Sequence, residues 1–204
     1  MKTIQLPFTD STILTIAKRL PVRELNKSTD IYFDLADAIV SQQLSGKVAQ
    51  TIFNRFLALF PNSYPDPKLL LNATDDELRS VGLSKGKATY LKNLAQFALD
   101  NSMDIGYIES MSDEEIIGYL TQVKGIGKWT VEMILIFSLN RPNIFPVDDL
   151  AIKQTMIELY KLPGSGNVLT RKLEEIASKW APYKTLATLY LWEYANYKKK
   201  RIKK

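Results

Sequence analysis

Two consecutive aspartates, Asp148 and Asp149, are the residues of this chain whose type and position best suit chemistry. They follow Pro146, which stiffens the approaching chain, and they precede a segment from Leu150 with the apolar spacing of a helix. One of the two is therefore expected to be the N-cap of that helix. The dipole and the unpaired N–H groups at a helix start stabilise a carboxylate. Most such aspartates only cap a helix, but a carboxylate held in this way can also stabilise a cationic transition state.

Other kinds of catalytic centre are excluded by composition, because the chain contains no histidine and no cysteine. A Ser-His-Asp triad, a histidine metal site, a cysteine nucleophile, a thiolate zinc site and a cysteine-held iron–sulfur cluster are all impossible. If the chain is an enzyme, its acid–base chemistry must come from Asp, Glu, Lys or Tyr.

The second informative segment, Leu120–Thr130, places a glycine on each side of Ile126. Glycines permit a tight turn with positive φ, and Ile126 can anchor that turn in the core beneath it. A helix starting after Gly127 would offer its free N–H groups and positive dipole end to a phosphate of a nucleic-acid backbone. A plain inter-helix turn with a glycine C-cap is the alternative, but the flanking Val123 and the apolar segment Trp129–Leu139 favour a hairpin. The residues expected to contact the backbone are Lys124, Gly125, Ile126, Gly127 and Lys128.

The elements that must position these segments are helices, since apolar residues recur at helical spacing almost throughout and no strand alternation is visible. Asp30, Thr74 and the pair Ser112 and Glu115 have the spacing of helix N-caps. The expected fold class is all-α, with two helical lobes and a cleft between them. Residues 30–139, with the hairpin at 120–130, form one expected lobe. Residues 1–29 and 140–204 form the other, which carries the aspartates and a basic tail.

Size and charge are those of a globular protein, with 204 residues, 46% hydrophobic residues and a net charge of +5. The run Lys198–Lys204 holds six of the basic residues, and without it the chain would be nearly neutral. Such a tail can add salt-sensitive affinity for phosphates, but it is as often a solvated end. Lys85 and Lys87, next to Gly82 and Gly86, favour a solvated loop, with contact to a second stretch of phosphates as the alternative. No apolar run could span a membrane and no secretory signal is visible, so an intracellular location, cytoplasmic (nucleoid) or nuclear, is expected.

The order of hairpin, apolar helix, proline-containing loop and aspartate resembles the helix-hairpin-helix, Gly/Pro-rich, aspartate superfamily of DNA glycosylases. Asp148-Asp149 followed by Ile152-Lys153-Gln154 is similar to the 3-methyladenine DNA glycosylase II branch. The segment Ala38–Ser45 is similar to the one that fills the gap left by a flipped base. The segment Trp180–Tyr183, with Ala187 and Trp192, resembles the C-terminal helix that lines the base pocket. The larger bacterial members carry an N-terminal β domain, so this chain looks like the compact form.

The resemblance implies a monofunctional glycosylase that flips alkylated purines of the 3-methyladenine and 7-methylguanine type out of DNA and hydrolyses the N-glycosidic bond in base excision repair. Asp149 then takes the catalytic role, because the second aspartate of the pair is the catalytic one in this branch. Alignment with the endonuclease III branch would choose Asp148, which stays the second candidate. Trp129 stands where the lyase branch has its nucleophilic lysine, which implies that no Schiff base forms.

The remaining expectations concern binding. The base pocket is expected to contain Trp129, Trp192, Tyr32 and Phe33, although core packing is the alternative for the aromatic residues. Besides the hairpin, the expected DNA-binding residues are Gln42, Gln43 and Leu44. No cofactor is implied, a monovalent cation at the hairpin carbonyls is possible in this superfamily, and the expected state is a monomer on double-stranded DNA with damaged bases. Two alternatives stay open: the same fold acting on a deaminated or oxidised base, and a non-catalytic helix-hairpin-helix module that only binds DNA.

Overall fold

The computed structural model describes residues 7–22 and 24–202, and these ranges contain helices and no strand, as the periodicity predicts. The helices are α1 Ser11–Ala17, α2 Ile31–Ser41, α3 Gly46–Leu57, α4 Pro67–Asn72, α5 Asp75–Ser80, α6 Lys85–Asp100, α7 Ile105–Glu109, α8 Asp113–Leu120, α9 Lys128–Met133, α10 Leu150–Tyr160, α11 Gly166–Ser178 and α12 Lys184–Ile202. A 3-10 turn covers Pro61–Ser63, and a π-helical turn, Ile134–Ser138, follows directly after α9. The predicted all-α fold class is confirmed.

The helix starts follow the capping signals of the sequence. The side chain of Asp30 accepts a hydrogen bond from the backbone N–H of Phe33 at the start of α2. Thr74 and Ser112 each form a capping box with the glutamate three residues later, at the starts of α5 and α8. These short polar side chains pair N–H groups that the first turn leaves open, which fixes where each helix begins.

Residues Lys27–Leu139 form one compact unit. Within it, α6 packs against α2, α4 and α5, and α2 also packs against α3 and the π-helical turn. Its buried side chains are almost all aliphatic or phenylalanine, such as Leu35, Phe56 and Leu91. The turn between α8 and α9 therefore rests on a helical core that includes Ile126, which is buried as predicted.

The described residues before Lys27 and after Leu139 form the second compact unit. Its core joins α1, α10, α11 and α12 through residues such as Ile13, Met156 and Leu173. The carboxylate of Asp10, the N-cap of α1, links that helix to α10 and to the segment that follows α11. Asp10 Oδ2 accepts hydrogen bonds from the hydroxyl of Tyr160 at 2.8 Å and from Nε1 of Trp180 at 3.1 Å. Trp180 is thus a core residue, almost fully buried.

Asp10 stands between two opposing effects on its pKa. Burial alone would raise the pKa of the Asp10 carboxyl, but the hydrogen bonds from Trp180, Tyr160 and the backbone N–H groups of Ile13 and Thr12 bring it below its ordinary value. The Tyr160 hydroxyl is buried beside this carboxylate, which raises the pKa of Tyr160. The charged form of Asp10 is therefore the one that the fold stabilises.

The basic tail continues the last helix, since α12 extends to Ile202. Lys198 forms an ion pair with Glu158 of α10, so one tail lysine is engaged within its own unit. Lys203 and Lys204 lie outside the described residues. Among the described helices none is both long enough and apolar enough to cross a membrane.

Candidate active site

The loop that leads to the two aspartates is held by one face of α12. The hydroxyl of Thr185 accepts a hydrogen bond from the backbone N–H of Ile144 at 3.0 Å and donates one to the carbonyl of Arg141. The hydroxyl of Thr188 donates to the carbonyl of Ile144 at 3.4 Å. Thr185, Thr188 and Trp192 are spaced by three and four residues, so they lie on the same helix face. The helix face that fixes the loop therefore also directs Trp192 to Asp149, where the loop ends.

Asp149 is the N-cap of α10. Its Oδ1 atom accepts hydrogen bonds from the backbone N–H of Ile152 at 2.9 Å and from the indole Nε1 of Trp192 at 3.1 Å. Two donors from two different elements thus fix the carboxylate orientation, and one of them is the dipole end of an 11-residue helix. The sequence predicts a cap at one of the two aspartates; the structure gives the cap to Asp149.

Asp148 has a different environment. Its side chain is 64% exposed, and Oδ1 lies 2.9 Å from the ammonium Nζ of Lys153. An exposed ion pair of this kind contributes little free energy and fixes a carboxylate weakly. The geometry therefore separates the two candidates and favours Asp149 as the prearranged anion.

The four aromatic residues predicted for the base pocket lie in three different settings. Trp192 is half-buried and directs its N–H to Asp149, while Trp129 is 43% exposed on the first turn of α9. Tyr32 is only 2% exposed, and its hydroxyl donates to the carbonyl of Pro65 at 2.7 Å. Phe33 packs against the rings of Phe53 and Tyr64. These contacts favour a structural role for Tyr32 and Phe33, whose assignment to the base pocket stays a prediction.

The hairpin turn has the conformation that its glycines predict. Gly125 has φ of +109°, and a Cβ atom there would lie 2.2 Å from Cγ of Tyr90 in α6. Only glycine fits at this point, because both the backbone and the ring beneath it exclude a side chain. Lys124 is exposed, and exposed Lys128 has Nζ 3.7 Å from the carboxylate of Glu132. Gly127 is the N-cap of α9, and because glycine has no side chain it accepts no hydrogen bond from the first N–H groups of this helix.

The segment from Gln42 to Leu44 lies beside this hairpin. Nε2 of Gln42 donates to the carbonyl of Gly125 at 3.1 Å, so the side chain of Gln42 is used within the protein. Gln43 is exposed and has φ of +59°, in the left-handed region that non-glycine residues rarely adopt. Leu44 is half-buried. Of these three predicted DNA-binding residues, Gln43 is the one that the loop presents to solvent.

Lys87 has a contact that the sequence does not predict. The spacing of glycines and lysines predicts a solvated loop here; the structure instead places Lys87 in the first turn of α6 with its ammonium turned inward. Nζ donates to the carbonyl oxygens of Val40 at 2.7 Å and of Gln42 at 2.8 Å. Burial lowers the pKa of Lys87. No local signal could have found this contact, because its partners are more than forty residues away in the sequence.

The candidate ligands for a metal ion are the backbone carbonyl oxygens of the hairpin. Among the residues that the structure describes, no cluster of Asp and Glu side chains could bind one. In the hairpin, the carbonyl of Lys124 accepts from Nδ2 of Asn93, that of Gly125 from Gln42, and that of Val123 from the N–H of Ile126. A monovalent cation would have to share these acceptors or use the other carbonyls of the turn, and the cation site stays a prediction.

Comparison with known proteins tests the resemblance. The sequence model of HhH-GPD superfamily base excision DNA repair proteins matches residues 36–183, which include the Gln42 loop, the hairpin and both aspartates. The chain belongs to this superfamily. A relative named DNA-3-methyladenine glycosylase 1, from Schizosaccharomyces pombe, is 39% identical over 176 residues, which cover 85% of this chain and 75% of the relative.

Solved structures agree with the sequence match. A 3-methyladenine DNA glycosylase of Schizosaccharomyces pombe in complex with abasic DNA superposes with a TM-score of 0.77 at 34% identity, covering 90% of this chain and 91% of that one. A DNA-3-methyladenine glycosidase of Bacillus halodurans gives a TM-score of 0.79 at 32% identity, covering 91% and 85%. The predicted resemblance to the 3-methyladenine branch of the superfamily is thereby confirmed.

Proposed function

We propose that this chain is a monofunctional DNA glycosylase that removes alkylated purines, of the 3-methyladenine and 7-methylguanine type, from double-stranded DNA. The observation that carries the proposal is the carboxylate of Asp149, whose Oδ1 atom is fixed by the N–H of Ile152 and the indole of Trp192. The names of the similar proteins support the same substrate class, and the relative in complex with abasic DNA supports a duplex partner. The chain acts as a monomer, without a cofactor, in the compartment that holds the DNA.

The target base must first leave the helix stack, which costs a few kcal/mol and costs least for a damaged base. The hairpin binds the phosphate backbone of the DNA through its N–H groups, and Lys124 and Lys128 add positive charge. Gln43, exposed at the tip of its loop, enters the gap in the duplex. These contacts are independent of sequence, as a repair enzyme requires.

The bond that breaks is the one between C1′ of the sugar and the ring nitrogen of the base. An alkylated purine carries positive charge, so it leaves with the electron pair of that bond as a neutral base and needs no strong general acid. Asp149 stabilises the positive charge that develops on the sugar. Water then adds to C1′ and gives up its proton to the Asp149 carboxylate, which passes it to solvent. The products are a free base and an intact abasic strand.

The monofunctional character rests on Trp129, which occupies the place of the lyase lysine. An indole cannot form a Schiff base with the sugar, so no strand cleavage accompanies base release. Trp129 is exposed at the start of α9 and remains assigned to the base pocket, where an aromatic face attracts a cationic base.

The experiment is single-turnover release of 7-methylguanine from duplex DNA by the wild type, Asp149→Asn and Asp148→Asn. Asparagine keeps the acceptor that caps α10 but removes the charge, so Asp149→Asn should slow release on the order of 100-fold or more, about 3 kcal/mol in the barrier. Asp148→Asn, which loses only an exposed ion pair, is the matched control and should stay within about threefold of the wild type.

Circular dichroism confirms that both variants fold, and borohydride is added to trap any covalent adduct. A collapse of Asp148→Asn with an active Asp149→Asn would move the catalytic role by one residue. Full activity of both variants would refute the mechanism. Absence of base release by the wild type would refute the enzyme assignment, and a trapped covalent adduct would refute the prediction that the enzyme is monofunctional.

A further inference from the structure

Three residues on one face of α6 reach both DNA-binding segments of the Lys27–Leu139 unit. Lys87, Tyr90 and Asn93 are spaced by three residues, so their side chains lie in a row along the helix. The ammonium of Lys87 holds the end of α2, the ring of Tyr90 lies under Gly125, and the amide of Asn93 donates to the carbonyl of Lys124 at 3.1 Å. One rigid helix thus contacts the Gln42 loop and the hairpin together.

Lys87 donates hydrogen bonds to carbonyl groups at the end of α2. The last carbonyls of a helix have no intrahelical partner, and they carry the negative end of its dipole. Lys87 Nζ donates to the carbonyls of Val40 and Gln42, the two residues on either side of Ser41, where α2 ends. Charge-assisted hydrogen bonds of this kind are stronger than neutral ones. These two hydrogen bonds direct the ammonium of Lys87 to the backbone at the end of α2 rather than to solvent or a phosphate.

Gln43, the residue that follows Gln42, has a strained backbone. Gln43 has φ of +59° without being a glycine, a conformation that costs free energy and persists only where neighbouring contacts hold it. Lys87 holds the carbonyl of Gln42 on one side, and Nε2 of Gln42 is bonded to the hairpin carbonyl of Gly125. The exposed position of Gln43 is therefore set by contacts that α6 and the hairpin supply.

We propose that Lys87 is a positioning residue for base flipping: by clamping the carbonyls of Val40 and Gln42, it fixes the Gln43 loop in register with the phosphate-binding hairpin. This inference rests on the proposed function, since it assumes that Gln43 enters the duplex. Lys87 itself touches neither the DNA nor the reacting bond. Its removal should disturb flipping while the grip of the hairpin on the backbone remains.

The experiment compares Lys87→Met, which keeps the length and the apolar stem, with Lys87→Arg, which keeps the charge. Lys92→Met is the matched control, because Lys92 lies on the same helix and pairs with Asp75 at the surface. Flipping is followed by the fluorescence of 2-aminopurine placed beside a hydrolysis-resistant 7-methylguanine analogue, and affinity is measured on a duplex with an abasic-site analogue. Single-turnover release of 7-methylguanine and thermal unfolding complete the set.

Lys87→Met should lower the flipping rate by about tenfold or more, because two hydrogen bonds from a charged donor are lost. Base release should fall with it, while affinity for the abasic-site duplex changes by less than about threefold, since phosphate contacts supply that binding. Lys87→Arg should recover most of the flipping rate, and Lys92→Met should match the wild type. The unfolding temperature separates a local effect on the loop from a loss of the fold.

Wild-type flipping by a folded Lys87→Met would overturn the positioning role, provided that the wild type releases base. Equal losses of flipping and of abasic-site affinity would also overturn it, since Lys87 would then act on binding as a whole. A wild type that flips and releases no base at all refutes the proposed function instead. If Lys87→Met does not fold, Lys87→Arg provides the test. A normal flipping rate together with slow base release in Lys87→Arg would contradict the inference, because Lys87 is proposed to act on release only through flipping.

Discussion

Replacing Trp192 with phenylalanine removes one hydrogen-bond donor from the candidate catalytic carboxylate and keeps an aromatic ring in its place. The indole Nε1 lies 3.1 Å from Oδ1 of Asp149, and the ring packs against the core of its own unit. The backbone N–H of Ile152 still caps α10 through the same oxygen. The substitution therefore tests the orientation of Asp149 rather than its presence.

The expected magnitude follows from the type of bond. A hydrogen bond to a charged group contributes about 1.5–3 kcal/mol, and water can replace part of it at a half-buried site, so we take about 2 kcal/mol. If this free energy is lost only in the transition state, base release slows about 30-fold. Affinity for a duplex with an abasic-site analogue should stay near that of the wild type, because phosphate contacts supply most of it.

The assay is single-turnover release of 7-methylguanine by Trp192→Phe, by Asp149→Ala and by the double variant. If Trp192 acts through Asp149, the loss caused by Trp192→Phe should almost disappear once the carboxylate is gone. A loss of the same size in both backgrounds would refute this reasoning and would mean that Trp192 acts on the base directly, by stacking. An unfolding temperature within a few degrees of the wild type excludes a general loss of packing as the cause.

Two further substitutions test the hairpin and the core. Gly125→Ala should destabilise the fold by about 2 kcal/mol and weaken binding to an abasic-site duplex about tenfold, because the new Cβ meets the ring of Tyr90 at a positive φ; unchanged affinity in a fluorescence anisotropy titration would contradict the assigned turn. Asp10→Ala should lower the free energy of unfolding at pH 7 by about 3 kcal/mol, since it removes a helix cap and leaves Tyr160 and Trp180 without their acceptor. Because the folded state lowers the pKa of Asp10, its contribution is present above the ordinary value near 3.8 and is lost as the pH falls through the folded pKa. Urea unfolding from pH 7 to pH 2 should therefore show the difference between wild type and Asp10→Ala shrinking in acid, and a constant difference would argue against a charged Asp10.

The parts of the fold that the sequence predicts are those governed by local rules. Helical periodicity needs only the spacing of apolar residues, and caps such as Thr74 and Ser112 need only the residues three positions on. The hairpin is predicted for the same reason, because the conformation of Gly125 and the burial of Ile126 follow from residues next to them. Each of these features is decided within one or two turns of helix.

The parts that could not be predicted depend on partners that are distant in the sequence. Asp148 and Asp149 are adjacent and identical, and what separates them is Trp192, 43 residues further along the chain. Tyr32 is a second example, because its place before the Gln42 helix does not reveal that the distant carbonyl of Pro65 accepts a hydrogen bond from its buried hydroxyl. Periodicity gives the direction of a side chain from its own helix and not the identity of the group that it meets.

Two contacts that the sequence does not predict are those of Trp192 with Asp149 and of Lys87 with the end of α2. Each comes from a helix face that carries polar side chains at helical spacing. In α12, Thr185 and Thr188 hold the loop that leads to Asp149, and in α6, Lys87 and Asn93 hold the Gln42 loop and the hairpin. In a sequence, such a row is indistinguishable from a solvated face, because threonine, lysine and asparagine are typical of both. Electrostatic stabilisation of a transition state requires charges and hydrogen-bond donors that are already in position. Sites on helices are more precise than sites on loops, so the loops need support from the helices behind them. We therefore expect a substitution in either of these polar rows to change the geometry of the candidate site through the loops that the row holds.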